Sequence, residues 1–197
     1  MPRASTLRVQ LCDTATRVGP DAPTLCEGWD VRDLLAHLVT REGRPDTLPG
    51  VVVPALAGHT DRVRDRMAQR PFTELVRLVR QGPPRWSPTR LRPVDQAVNT
   101  LEFLVHHEDI LRAQPGWQPG PADPGTERFA WRTVSRTARL RHRRAPGPVV
   151  YSSPGHGAVV AGPKDGPRTE VTGRPVDLLM WLMGRTEPTG AQVVSQA

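Results

Sequence analysis

This chain of 197 residues lacks several features that would assign it to a protein class at once. It has only two cysteines, Cys12 and Cys26, which are too few for a disulfide framework. It has no run of about 18 apolar residues, so no transmembrane helix is expected. Its N-terminus lacks the apolar core of a secretory signal, and no G-x-G-x-x-G, P-loop or C-x-x-C motif is present. We therefore expect a protein of the cytoplasm with no membrane partner.

Lysine and acidic residues are also scarce. The chain has 20 acidic and 27 basic residues, a net charge of +7 and a pI near 11.0, and Lys164 is the single lysine. A basic chain raises the question of nucleic-acid binding. However, the skew to arginine, with 22 prolines, is typical of a GC-rich genome, and the arginines are spread along the chain. The densest run, Arg139–Arg144, has no interleaved aromatics, so nucleic acid is not expected as the main partner, although a phosphate-binding patch is left open there.

Apolar periodicity predicts a mainly α chain with a small α+β C-terminal part. The predicted helices span residues 5–18, 31–41, 51–69, 72–80, 93–114, 127–139 and 175–184. Three short β-like runs, at 148–152, 158–161 and 169–172, lie between the last two helices. We therefore predict a helical bundle over residues 1–119 and an α+β subdomain over residues 120–197.

One predicted helix carries a polar stripe on an otherwise apolar segment. Glu102 and His106 are four residues apart, so both side chains lie on one face of the helix. Asn99 and Asp109 fall on the same stripe. Burying such a stripe without a partner is costly, and a divalent metal is a suitable partner for carboxylate and imidazole groups. A solvated surface pair is the alternative, and spacing alone does not decide between the two.

A different helix supplies a third candidate ligand. The helix that starts at Val31 has Asp30 as a good N-cap, and His37 lies at the edge of its apolar face. Two antiparallel helices of a bundle can bring His37 together with Glu102 and His106. Three protein ligands and one open position are typical of a catalytic metal site. A metal held in this way lowers the pKa of bound water or thiol, or polarises a carbonyl.

Polar residues around these three ligands are assigned supporting roles. Asp109 is expected to accept a hydrogen bond that fixes His106, with a ligand or a surface charge as alternatives. Asn99 is a candidate for a similar role, and its alternative is a structural hydrogen bond. Arg32 and Arg112, together with Arg41, flank the site helices and are candidates to clamp an anionic cofactor or substrate, although solvated arginine is the default.

The remaining histidines and Cys26, which is close to the proposed site in the sequence, are not assigned as metal ligands. His107 is about 100° around the helix from His106, so both are not expected to bind one ion. His142 is expected on the surface. Cys26 is a candidate catalytic thiol, but no base is adjacent in the sequence, which favours a buried structural cysteine.

Several segments resemble one known family. The segment Leu25–Leu38 resembles the G-W-x-V-x-D-L-x-A-H-L signature of the mycothiol-dependent maleylpyruvate isomerase-like proteins, which belong to the DinB/YfiT-like metal-binding superfamily. The stripe from Glu102 to Asp109 is similar to that family's second motif, and residues 171–185 are similar to a pattern in its C-terminal part. The resemblance extends over nearly the whole chain in an actinobacterial branch, through the segments at 19–28, 82–88 and 99–117.

This resemblance implies a DinB-like four-helix bundle in which His37, Glu102 and His106 bind a divalent metal, usually zinc. It also implies mycothiol, a low-molecular-weight thiol, as a cofactor at the open position, and a small electrophilic substrate. The superfamily includes isomerases and thiol S-transferases, so the resemblance does not fix the reaction. A hydrolase or lyase that uses metal-bound water and a non-catalytic metal- or ligand-binding module remain as alternatives, and the chain is expected to be a monomer or a homodimer.

Overall fold

The computed structural model describes residues 4–44, 54–83, 92–120, 123–185 and 190–196. Within these ranges the chain forms seven helices and four strands, which confirms the predicted mainly α fold with a small α+β C-terminal part. The described residues up to Trp117 form one compact unit, and those from Gln118 onwards form a second. None of the described helices is long and apolar enough to cross a membrane.

The first unit is helical. Its helices are α1 (Ala4–Val18), α2 (Val31–Gly43), α3 (Pro54–Ala68), α4 (Phe72–Gln81) and α5 (Arg92–Arg112). Helix α1 packs on α5, α2 packs on α3, and the short α4 packs on both α1 and α2. This arrangement is consistent with the DinB-like bundle expected. The predicted start of α3 at Val51 and most of the segment 82–88 lie outside the described residues.

Helix α2 forms as its sequence predicts. Asp30 has an extended backbone, and its side chain accepts a hydrogen bond from the backbone N–H of Asp33 at 2.9 Å, which satisfies one donor of the first turn. Leu34, Leu35 and Leu38 are fully buried, and each contributes about 1.5–3 kcal/mol through removal from water. The buried leucines fix the rotation of α2 and so place His37 at the margin of its buried face.

A buried ion pair between α1 and α2 also contacts α4 and α5. The guanidinium of Arg8 on α1 donates two hydrogen bonds to the carboxylate of Glu42 on α2, at 2.7 and 2.6 Å. It also donates to the backbone carbonyl of Val79 on α4 and lies 4.3 Å above the ring of Phe103 on α5. Arg8 is 6% exposed and Glu42 is 4% exposed. Loss of either partner leaves the other charge buried without its counter-charge.

The second unit consists of two helices and a four-stranded sheet. Helix α6 (Pro124–Arg141) packs on α7 (Pro175–Leu182). The strands are β1 (Val149–Ser153), β2 (Gly157–Ala161), β3 (Arg168–Thr172) and β4 (Gln192–Gln196), in the order β2-β1-β3-β4. Strands β1 and β2 form an antiparallel hairpin, β3 is parallel to β1, and β4 is antiparallel to β3. The three predicted strands are confirmed, whereas β4 was not predicted.

His142, which is expected on the surface, is half-buried. Its ring stacks on Trp181 with centroids 5.7 Å apart and lies 2.6 Å, by Nε2, from the hydroxyl of Tyr151. Tertiary contacts cause this burial. His142 caps the C-terminal end of α6, where Trp181 of α7 and Tyr151 of β1 contact its ring. Burial and the charge of Arg141 lower the pKa of His142.

Candidate metal centre

The structure brings together the three ligands that the sequence predicted. Nε2 of His37 lies 3.2 Å from Oε1 of Glu102, and Nε2 of His106 lies 3.3 Å from the same oxygen. All three candidate ligand atoms lie within 4.8 Å of one another. Ligands about 2.0 Å from a tetrahedral zinc ion are separated by about 3.3 Å. The spacing and the donor set of two imidazoles and one carboxylate therefore fit a divalent metal.

Asp109 orients one of these ligands. Its Oδ2 lies 3.0 Å from Nδ1 of His106, one helical turn away on α5, and the Asp109 side chain is fully buried. A carboxylate at this distance holds the proton on Nδ1, so the lone pair of the neutral imidazole is on Nε2. Nε2 is the nitrogen that faces Glu102. Asp109 thus lies where an orienting residue is needed, on the side of the ring opposite the candidate metal position.

A chain of polar contacts supports Glu102 from the interior of the helical unit. Nε of Arg41 lies 3.3 Å from Oε1 of Glu102, and Nη1 of Arg41 donates to Oδ1 of Asn99 at 2.6 Å. The amide of Asn99, which is fully buried, donates to Glu42 at 3.3 Å. Asn99 is therefore connected to Glu102 through Arg41. The sequence suggested Arg41 only as an anion clamp, because its contact with Glu102 arises from the packing of α2 against α5.

The three ligands perturb one another's pKa values. Burial alone raises the pKa of Glu102, but hydrogen bonds from His106 and His37 and the charge of Arg41 lower it overall, so the group is a carboxylate. Burial lowers the pKa of His37, although its hydrogen bond to Glu102 opposes this effect. Burial also acts to lower the pKa of His106, yet hydrogen bonds to Asp109, Cys26 and Glu102 raise it well above the ordinary value. Without an ion, His106 is thus held in the charged form by its acidic neighbours.

Cys26, which the sequence left open as a catalytic thiol, lies beside the site. Its Sγ is 3.2 Å from Oδ2 of Asp109 and 3.8 Å from Nδ1 of His106. The residue is partly exposed, which differs from the buried structural cysteine expected. More than 80 positions separate Cys26 from Asp109 in the chain, so only the tertiary fold reveals the contact. Because Cys26 and Asp109 both face Nδ1 of His106, neither closes the position at Nε2.

Aromatic rings form one wall of the site. The indole of Trp29 lies 5.1 Å from the ring of His37, and the His37 and His106 rings meet edge to face at 5.3 Å. The guanidinium of Arg64 on α3 covers the Trp29 ring at 5.0 Å. This packing limits the rotamers of His37. Trp29 thus helps to hold His37 in the orientation that faces Glu102.

The structure does not bring the other two proposed cofactor-binding arginines to the ligand atoms. Arg32 is directed to the backbone carbonyl of Arg70, at 3.3 Å. Arg112 is 2% exposed, donates to Glu108 at 2.8 Å and lies 4.6 Å above the ring of Trp117. The assignment of Arg32 and Arg112 to cofactor binding stays a prediction.

His107 faces away from the proposed ligands, as the helical spacing predicted. Its Nε2 lies 2.9 Å from the hydroxyl of Thr14 on α1, and burial lowers its pKa to about 4. His107 is therefore a neutral packing residue between α1 and α5. It offers a matched control for any experiment on His106.

Two solved structures share this fold. The crystal structure of the mycothiol-dependent maleylpyruvate isomerase matches with a TM-score of 0.66 and 14% sequence identity, over 96% of this chain and 89% of that chain. A histidine-to-alanine mutant of that enzyme matches with the same values. No family model and no curated protein sequence matches the chain. At this identity the likeness confirms the architecture that the sequence resemblance implied.

Proposed function

We propose that this protein is a divalent-metal enzyme, with zinc as the metal, that activates a low-molecular-weight thiol against a small electrophile. The observation that carries the proposal is the convergence of His37, Glu102 and His106, with Asp109 on the far nitrogen of His106. Two imidazoles and one carboxylate form a ligand set of catalytic zinc sites, which keep one position open. The fold shared with a mycothiol-dependent isomerase supports mycothiol as the thiol.

Each residue has a distinct task in this proposal. His37, Glu102 and His106 hold the ion, which when bound lowers the pKa of a coordinated thiol and so provides thiolate at neutral pH. Asp109 keeps the proton of His106 on Nδ1. Arg41 holds the Glu102 carboxylate in place, and Asn99 holds Arg41. Asn99 is thus a positioning residue rather than a catalytic residue.

The geometry favours an enzyme over a structural metal site. Among the described residues, Cys26, Asp109 and Arg41 make contacts with the proposed ligands. Cys26 and Asp109 lie on the Nδ1 side of His106, and Arg41 is a cation that does not ligate metal ions. The ligand side chains of His37 and Glu102 are 26% and 24% exposed, so a small molecule can reach them. The cytoplasmic location expected from the sequence stays a prediction.

Metal content is the first test. Wild-type protein, His106→Ala and His107→Ala are purified without added metal and measured by mass spectrometry of bound elements. We expect about one divalent ion per chain in the wild type and in His107→Ala, and none in His106→Ala. Absence of metal from all three, with no uptake of added zinc and an intact helical spectrum, would contradict the proposal and leave a binding role without metal.

Thiol dependence is the second test. Metal-loaded protein is assayed with small electrophiles, including maleylpyruvate, with and without mycothiol. Turnover that requires both the metal and the thiol supports the proposal. Turnover with metal alone supports a hydrolase or lyase that uses metal-bound water, and turnover with mycothiol that survives loss of the metal would show that the metal-activated thiol mechanism is wrong.

A further inference from the structure

Two adjoining cavities lie at the C-terminal end of α6, in the second unit. One has a volume of about 500 Å³ and is lined by Arg141, Arg143 and Arg144 together with Leu140, Leu182 and Met183. The other, of about 330 Å³, is lined by Arg139, Arg143 and the end of β2. Arg143 contributes to both cavities. The arginine-rich run, where the sequence left a phosphate-binding patch open, thus lines both cavities.

The arginines of this run form no ion pair within the described part of the chain, in contrast to several arginines elsewhere in the fold. Arg8, Arg168 and Arg174 are each paired with a carboxylate within 2.9 Å. In the described part of the chain, Arg139, Arg143 and Arg144 have no such pair, and Arg141 donates only to the backbone carbonyl of Leu182. No aspartate or glutamate is among the described residues that line either cavity.

Stabilisation of the helix does not account for four cations in this place. Basic side chains near a helix C-terminus are favoured by the partial negative charge there, which amounts to about half an elementary charge. Arg139 and Arg141 lie in the last turn of α6 and fulfil that role. Arg143 and Arg144 lie beyond the helix, and the guanidinium groups that line the two cavities repel one another unless an anion joins them.

We propose that this site binds a small organic phosphate. Guanidinium groups present paired N–H donors that match phosphate oxygens, and they stay charged at all working pH values. Leu140, which is 66% exposed, and Met183 provide an apolar surface for the organic part of the ligand. The cavity volumes fall near the range of about 300–1,000 Å³ that is usual for small-molecule sites. This inference does not depend on the metal centre.

A phosphate of a nucleic acid is the less suitable ligand. Binding of single strands uses aromatic platforms on which bases stack, and no aromatic residue is among the described residues that line the two cavities. The arginines also line two adjoining cavities, whereas a duplex requires contacts along an extended surface. A compact anion matches the site better.

Calorimetric titration of the full chain tests the proposal. Adenosine monophosphate, inorganic phosphate and adenosine are the probes, because the first combines a dianionic phosphate with a ring and the others carry one part each. We expect adenosine monophosphate to bind most tightly, phosphate more weakly and adenosine not at all. Failure of both adenosine monophosphate and phosphate to bind at low ionic strength would overturn the proposal.

Two matched variants locate the binding. Arg143→Ala removes the guanidinium shared by both cavities and is expected to weaken binding of adenosine monophosphate about tenfold, the effect of losing one charge-assisted contact. Arg128→Ala removes the same charge from an exposed position on the same helix, about 16 Å along the axis from Arg139, and is expected to leave binding unchanged. Thermal unfolding of both variants verifies the fold.

Two further outcomes would refute the inference. Equal weakening in both variants would show a general effect of net charge and no defined site. Binding of an oligonucleotide that is far tighter than that of adenosine monophosphate, with affinity falling steeply as salt rises, would assign the patch to nucleic acid instead.

Discussion

Replacement of Asp109 tests how the candidate metal centre selects one nitrogen of His106. The Asp109 carboxylate is fully buried and lies 3.0 Å from Nδ1 of His106. Asp109→Asn preserves the shape and an oxygen that can still accept the Nδ1 proton, but it removes the charge. Asp109→Ala removes the acceptor as well, so both neutral tautomers of His106 become available. We therefore expect zinc affinity to fall in both variants, and further in the second.

The expected magnitude follows from the two parts of this interaction. Loss of a partner that orients a metal-ligating histidine costs about 10–100-fold in metal affinity. Asp109→Asn loses only the charge, so we expect its zinc affinity to fall by the lower limit of this range, about tenfold or ~1.4 kcal/mol. Asp109→Ala is placed at the upper limit, about 100-fold or ~2.7 kcal/mol.

Competition with a chromophoric zinc chelator measures these affinities. Glu108→Gln is the control, because the neighbouring Glu108 carboxylate accepts from Arg112 rather than from His106. Circular dichroism confirms that each variant retains its helices. If both Asp109 variants bind zinc as tightly as the wild type while Glu102→Gln does not, the assigned role of Asp109 is incorrect.

Three further predictions concern buried charges, thiols and pH. Glu42→Ala removes the counter-charge of the buried Arg8 and should lower the free energy of unfolding by about 3–5 kcal/mol in urea titrations; a loss below about 1 kcal/mol would place the pair with exposed ion pairs. Cys12 is fully buried, and burial raises its pKa to about 11. Alkylation of the native protein, followed by mass spectrometry, should therefore label Cys26 and not Cys12. Labelling of the native Cys26→Ser variant would disprove this expectation. Burial lowers the pKa of His142, so the folded state binds fewer protons than the unfolded state. Its stabilising effect is therefore present above the unfolded pKa of about 6.5 and is lost as pH falls; the melting temperature of the wild type should fall relative to that of His142→Phe as pH decreases through this range, and parallel curves would argue against it.

Local patterns were sufficient to predict which residues meet at the candidate metal centre. Glu102 and His106 share a face because of helical spacing alone, and the leucines of α2 fix where His37 faces. The helices and the first three strands follow the same periodicities. In these parts of the chain, local propensity and the final fold agree, so the sequence carried the information.

Features set by contacts between distant segments were not predictable in this way. Cys26 reaches Asp109 and Arg41 reaches Glu102 only because α2 and its preceding loop pack on α5. Strand β4 has no apolar alternation and is formed through its pairing with β3. His142 is half-buried because Tyr151 and Trp181 approach it from elsewhere in the second unit. Periodicity and local motifs in a single sequence do not reveal contacts between residues that are distant in the chain.

The division of the candidate ligands between two helices would link metal uptake to folding. Glu102 and His106, with Asp109, acquire their spacing as soon as α5 becomes helical, whereas His37 joins them only when α2 has docked. An ion that binds the complete set, but not the unfolded chain, stabilises the folded state by about 2.7 kcal/mol at a concentration 100-fold above its Kd. Scarcity of the ion in a cell would then reduce both the chemistry at the site and the fraction of chains whose helical unit remains assembled.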